Sequence, residues 1–292
     1  MRCTTAFFSI LLLPALGSVA LAQPTNPGIA GAIDGRAPSS LRGTRFESSA
    51  AIADLVRSGG TLTQGASGEQ VRAIQSALGA MSFLVPGTPE GRYEVLTARA
   101  VKNFQQHAVT AFPDVRATGD VDPATLRALA VLAPAAGERG QRGNTPSNVH
   151  EGQRVRVVVV KKEHRTFVFD DQGRVTHIFV NATGAASSPT RSALKFVDAK
   201  LGKADCEALG RRLWGNGTVF GERLVGLSGG GQELHGTNAP QMLGLDVSKG
   251  CVRHHNPDML VLYDLVRLND KVAIVDRADD AKLGARAPIA DR

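Results

Sequence analysis

The sequence predicts an α+β chain of two domains, a small three-helix bundle followed by a mostly β domain. Three observations carry that prediction. Apolar residues recur at helical spacing through residues 61–132, whereas residues 153–277 gather theirs into short β-branched runs separated by turns. Between the two, Pro134 to Asn148 is dense in Ala, Gly, Pro, Arg and Asn without periodicity, so residues 133–152 read as a linker. A length of 292 residues also exceeds what one small domain needs.

The chain opens with Met1-Arg2, an apolar run from Phe7 to Leu13, Pro14 and the small-residue close Ala20-Leu21-Ala22. That order predicts a secretory signal peptide over residues 1–22, with Gln23 the first mature residue. The run is shorter than the roughly 18–20 apolar residues of a permanent span, and no later stretch reaches that length. An exported protein with no stable membrane span is expected, residing in the periplasm or cell envelope. Cys3 precedes the apolar run, so a lipid-modified mature N-terminus is not indicated.

Residues 23–60 are rich in Pro, Gly, Ser and Ala and read as a flexible segment, with one short helix from Ser48 to Arg57 stopped by Gly59-Gly60. A second helix follows the turn Gly65 to Gly68, with Ser67 its predicted cap and Val71, Ile74, Gln75 and Leu78 at helical spacing. The next runs through Thr97, Ala100, Val101, Phe104 and Gln105. Asp122-Pro123 then offers an N-cap and a first-turn proline before Leu126 and Leu129.

Strands are predicted at Val155 to Val160, Thr166 to Phe169 and Val175 to Val180, with Asp170 to Gly173 as a turn. Asp205 to Leu213 reads as a helix carrying Cys206. Gly229-Gly230-Gly231 lacks the Gly-Lys-Ser/Thr of a phosphate loop and reads as a turn before a strand at Gln232 to Gly236. Asn256-Pro257-Asp258 starts a helix, Val272 to Val275 is a strand, and residues 278–292 read as a loose tail.

With 34 basic against 27 acidic residues the net charge is +7. The basic residues are scattered and aromatics make up 5%, so the stacking platforms of a nucleic-acid binder are missing, and an anionic envelope polymer is the better partner. After signal removal only Cys206 and Cys251 remain, which excludes a disulfide scaffold. Cys206 is read as an isolated thiol, and a disulfide to Cys251 is the alternative. Cys251, Cys206, His235 and His254 show no CxxC or HxxxH pairing, so no metal and no cofactor are expected.

Cys251 follows Gly250, a neighbour without a side chain that lets a substrate carbonyl approach thiol and backbone N–H together. His235 lies sixteen residues upstream and is the candidate base for a thiolate nucleophile. His-Gly-Thr-Asn at 235–238, Pro240, Gly244 and Ser-x-Gly-Cys-Val-Arg at 248–253 together resemble the signature of the L,D-transpeptidases, the YkuD-like cell-wall cysteine enzymes. The chain departs from it at Lys249, where that family usually has histidine, and at Ser188-Pro189-Thr190, where Thr-Pro and then Gly are usual.

Residues 61–132 are similar to the small peptidoglycan-binding module. The resemblance rests on Gly65 and Gly68, Val71, Ile74-Gln75 and Leu78, Gly91-x-Tyr93, Thr97, Ala100-Val101, Phe104-Gln105, Thr118-Gly119 and Thr125-Leu126. Arg92, Tyr93 and Gln106 are its candidate groove residues.

The resemblance implies a sandwich-like or barrel-like catalytic domain and acyl transfer through a Cys251 thioester. His235 would be the base, Gly250 and Cys251 N–H groups the oxyanion donors, and Ser248 or a carbonyl the group orienting the imidazole. Arg253, Lys249, Gly236 and Thr237 are the candidate substrate-binding residues, with Lys249 expected near enough to stabilise the thiolate. His254 and His255 are expected at the surface. The implied donor is a peptidoglycan stem peptide, and the acceptor a stem amine, an envelope-protein amine or water. Water would make the chain a carboxypeptidase or amidase. A catalytically silent wall-binding protein is the alternative from another class.

Overall fold

The computed structural model describes residues 41–136 and 145–283. The predicted signal peptide, residues 23–40, residues 137–144 of the predicted linker and residues 284–292 lie outside the described residues.

Four helices form the N-terminal part: α1 (Ala50–Ser58), α2 (Glu69–Ala80), α3 (Val95–Ala108) and α4 (Pro123–Leu132). Helix α1 is not part of a loose segment, because Ile52 and Leu55 are buried in the same core as Val71, Ile74, Val101, Phe104 and Leu129. Asp122 caps α4 as expected, its Oδ1 accepting from Thr125 N at 2.7 Å. Ser67 does not cap α2. Gly68 holds that position at φ 108, a conformation that favours glycine.

Two buried glutamines tie the turns to the helices. Gln75 donates to the carbonyls of Pro89 and Arg92 and accepts from Gly91 N. Gln105 does the same with the Asp120 carbonyl and Gly119 N.

The second part is a mixed barrel. Its strands are β3 (Val157–Val160), β4 (Arg165–Phe169), β5 (Val175–Gly184), β6 (Ala193–Leu201), β7 (Leu224–Leu227), β8 (Glu233–His235), β9 (Asp246–Ser248), β10 (Val252–His254) and β11 (Lys271–Val275). A small hairpin of β1 (Val149–His150) and β2 (Gln153–Arg154) precedes them, inside the predicted linker.

The hydrogen-bonded order is β10-β8-β7-β6-β11-β3-β4-β5-β9, and β10 also pairs with β5, which closes eight strands into a ring and removes their open edges. Strand β3 is buried on both faces, as a continuous run of valines requires. One face meets the barrel core of Phe179, Val225, Leu234, Val252 and Met259, and the other meets Phe167, Phe169 and Ile178.

Helix α6 (Asn256–Leu265) packs Met259 and Leu262 into that core, and α5 (Lys203–Trp214) crosses between β6 and β7. The predicted loose tail begins instead as α7 (Ala278–Leu283), anchored by fully buried Ala278.

The two parts share one core. Val180, Ala182 and Leu243 of the barrel are buried among the apolar residues of the helices. Asn103 donates to the Ile178 carbonyl at 2.5 Å, and Thr110 to that of Gln241. The Arg165 guanidinium lies 3.5 Å from the Phe83 ring centroid and donates to the Met81 carbonyl. Burial pulls Arg165 down to about 9 and His107 beside it to about 3.

Candidate active site

Cys251 lies between β9 and β10, in a tight turn that its own neighbours hold. Gly250 adopts φ 107, and Ser248 Oγ donates to the Cys251 carbonyl at 2.5 Å and accepts from Gly250 N at 3.2 Å. A second clip comes from the loop after β5. Buried Thr190 donates through Oγ1 to the Gly250 carbonyl at 2.9 Å and accepts from Gly184 N at 2.8 Å. The departure at Ser188-Pro189-Thr190 therefore supplies the hydroxyl that fixes the turn.

Strand β10 runs parallel to β8, with Val252 opposite Leu234 and Arg253 opposite His235. That register puts His235 on the strand next to the one that leaves the cysteine turn. The imidazole Nδ1 is 2.5 Å from the Gly236 carbonyl, which makes Nδ1 the N–H donor and leaves Nε2 with the lone pair. Phe220 packs edge-on at 4.9 Å, and burial lowers the His235 pKa to about 4, with Arg253 adding to the effect.

The sulfur is not hydrogen-bonded to this imidazole. Cys251 Sγ donates to Glu233 Oε2 at 2.7 Å. Burial first, and the Glu233 charge second, push the thiol up to about 12, with Arg253 opposing. Glu233 was not among the residues singled out from the sequence. The signal was present all the same: two residues before His235 on a strand of period two, it shares the face of the histidine.

The remaining predicted site residues divide between cleft and scaffold. Lys249 is exposed and lines a cleft of about 310 Å³ with Arg191, Gln232 and Gly250. Its ammonium lies 4.4 Å from the Trp214 ring centroid. The expected partner of the Lys249 ammonium was the thiolate, and the aromatic partner it has is Trp214 on α5.

Gly236 and Thr237 are buried scaffold. Thr237 N donates to Asn256 Oδ1 at 2.8 Å, and a Cβ at Gly236 would fall 2.2 Å from that same oxygen. Asn256 thus braces the His235 loop, and α6 starts without a side-chain cap. Ser248 serves the cysteine turn rather than the imidazole, and it occupies Gly250 N–H, which leaves the N–H of Cys251 as the donor of that pair not so engaged. Arg253 is half-buried on β10 with Nε lacking a hydrogen-bond partner.

His254, expected at the surface, is fully buried, because β10 is inserted between β8 and β5. Its Nε2 is 2.8 Å from Thr166 Oγ1, which accepts from Asn181 Nδ2. His255 is half-buried. Cys206 is free and buried beside Phe220 and Leu224, and burial pushes it up to about 11. Tyr93 and Gln106 are buried too, Tyr93 donating to the Gly119 carbonyl, so only exposed Arg92 of those three faces solvent.

A second cavity of about 240 Å³, near Leu84, Val85, Phe167 and Ile178, is lined by no titratable side chain. The cleft beside Gly250 is the one with the chemistry. No cluster of three or more His, Cys, Asp or Glu able to hold a metal occurs among the described residues.

Residues 154–274 match the L,D-transpeptidase catalytic domain family, and residues 67–129 match a family described as "Putative peptidoglycan binding domain". Over 58 residues the chain is 41% identical to "Putative L,D-transpeptidase YkuD" of Bacillus subtilis, covering 20% of this chain and 35% of that protein. Over 44 residues it is 48% identical to "Probable L,D-transpeptidase ErfK/SrfK" of Salmonella typhimurium, covering 15% of this chain and 14% of the other. The matched stretch thus spans about a third or less of these relatives. Among solved structures, an L,D-transpeptidase of Xylanimonas cellulosilytica is 21% identical with a TM-score of 0.38, covering 73% of this chain and 96% of that one. One from Stackebrandtia nassauensis is 18% identical with a TM-score of 0.39, covering 73% and 94%.

Proposed function

We propose that this chain, whose residues 154–274 match the L,D-transpeptidase catalytic domain family and follow a match to a peptidoglycan-binding domain, carries out exported acyl transfer on peptidoglycan stem peptides through a thioester on Cys251. The observation that supports the proposal is the parallel β8–β10 register, which carries Cys251 and His235 on neighbouring chain segments with Val252 opposite Leu234 and Arg253 opposite His235, together with an imidazole whose Nδ1–H is tied to the Gly236 carbonyl. A base so oriented presents Nε2 to the sulfur's surroundings.

Acylation requires the thiol to turn from Glu233 to His235. The proton then passes to Nε2, and sulfur attacks the donor carbonyl between the third stem residue and a terminal D-alanine. The developing oxyanion meets the Cys251 N–H. Collapse breaks the C–N bond, and the imidazolium returns its proton to the leaving D-alanine amine. Lys249 and Arg191 line the cleft with positive charge, which suits the carboxylates of a stem peptide. An amine on a second stem resolves the thioester into a cross-link, an envelope-protein amine anchors that protein, and water gives hydrolysis. Action at the cell envelope follows from the substrate, and residues 1–22 supply the export signal.

Incubating the purified protein with a carbapenem should give one covalent adduct by mass, absent in Cys251→Ala. Stem tetrapeptides should then yield free D-alanine and a cross-linked product. No adduct and no product would overturn the enzymatic reading in favour of a silent wall-binding protein.

A further inference from the structure

Glu233 is a half-buried carboxylate that forms no ion pair with any described residue, and its hydrogen-bond partner is the nucleophile itself. An unpaired carboxylate is costly to keep partly buried, and against a sulfur that must become negative it opposes the first step of catalysis. Neither Arg253 nor Lys249 ion-pairs with it, and the Lys249 ammonium lies at Trp214. A group that hinders acylation and is left without a cation has a use only if a cation arrives later.

Acylation itself creates that vacancy. Once sulfur carries the acyl group, the S–H that donated to Oε2 no longer exists, and the carboxylate faces the thioester without a donor. The face it occupies is shared with His235 through the period-two geometry of β8, so a group held by Glu233 lies beside the base. We infer that Glu233 selects the acyl acceptor: its carboxylate seats the ammonium of an amine acceptor beside the Cys251 thioester, favouring aminolysis over hydrolysis. The inference rests on the thioester reading above.

The step balances. Of the three protons on the ammonium, one goes to solvent as the free amine forms, one passes through His235 Nε2 to the departing sulfur, and one stays on the new amide nitrogen. The nitrogen lone pair forms the C–N bond, and the C–S pair returns to sulfur. Glu233 accepts a hydrogen bond from the amine throughout and undergoes no net change. Water, being neutral, gains much less from the same carboxylate.

The test compares wild type, Glu233→Gln and Glu233→Asp as full-length proteins, with a stem tetrapeptide donor and glycinamide as the amine acceptor. Mass spectrometry reads the acyl-enzyme, the amide product and the hydrolysis product. Glu233→Gln keeps size and hydrogen bonding without the charge, so it should still acylate while its amide-to-hydrolysis ratio falls about tenfold or more, the scale of a lost charge-assisted hydrogen bond. Glu233→Asp should recover part of the ratio. Acylation of Glu233→Gln with an unchanged ratio overturns the acceptor role alone, whereas absence of acyl-enzyme from wild type overturns the thioester reading and the acceptor role with it. Glu233→Gln that no longer acylates while wild type does would make Glu233 part of the first step, which also overturns the inference.

Discussion

Phe83→Ala tests whether the helices and the barrel unfold as one body. Phe83 is 1% exposed, packs edge-on to Phe104 at 5.6 Å between centroids, and carries the Arg165 guanidinium on its face. Removing a buried phenyl ring costs about 3–5 kcal/mol, and loss of a desolvated cation–π contact adds up to about 2 kcal/mol. The extra loss falls on the barrel, since Arg165 belongs to β4 and would keep its buried charge without its aromatic cover. The total of roughly 3–7 kcal/mol should lower the urea midpoint by at least about 1 M. The chain has a single tryptophan, Trp214, which lies on α5 in the barrel part and reports its unfolding, while far-UV circular dichroism reports both parts. In the variant, fluorescence and dichroism should shift together. A dichroism transition that splits, with the Trp214 signal unmoved, would refute the shared core and restore two independent domains.

Three further outcomes follow. Thr190→Val removes the hydroxyl that joins Gly184 to Gly250, leaving two buried backbone groups unpaired; it should cost about 1–3 kcal/mol by thermal or urea melting and slow Cys251 alkylation at a pH where the fold persists. Lys249→Met should leave the pH profile of Cys251 alkylation in place, because the ammonium rests on Trp214, and a profile moved upward would show that its charge reaches the sulfur. Acid should destabilise the fold between about pH 6.5 and 4: His107, His164, His235 and His254 are lowered to about 3–4, so in that window the unfolded chain binds protons that the folded chain refuses, and stability rises with pH by about 1.4 kcal/mol per unit for each. Asp258, raised to about 6, and Glu163, also raised by burial, oppose the four imidazoles in part, and a urea midpoint flat from pH 6.5 to 4.5 would contradict the burial of these imidazoles.

Deletion of residues 61–132 would not separate binding from catalysis cleanly. It would expose Val180, Ala182 and Leu243 and strip the cover from Arg165 and the Ile178 carbonyl, so loss of thiol reactivity in such a truncation would report damage to the barrel.

Much of this chain was legible because the deciding physics is local. A run of four valines forms β3 wherever it is placed between strands, and Asp122-Pro123 caps and starts α4 through contacts within one turn. Cys251, Gly250 and His235 stood out as residue types able to do one kind of chemistry. What the local signals could not supply was the partner of each group. Tyr93 looks like a groove residue until the Gly119 carbonyl, 26 residues away, takes its hydroxyl. His254 looks like a surface residue until β10 is slotted between β5 and β8. The Cys251 thiol faces Glu233 rather than His235 because two short parallel strands align Val252 with Leu234. Such pairings join residues far apart in the chain, and their register depends on the closing of the whole barrel and the docking of α3 on β5. Residue chemistry and local geometry were therefore settled by the sequence alone, whereas burial, charge environment and the atom each functional group faces were decided by the tertiary fold.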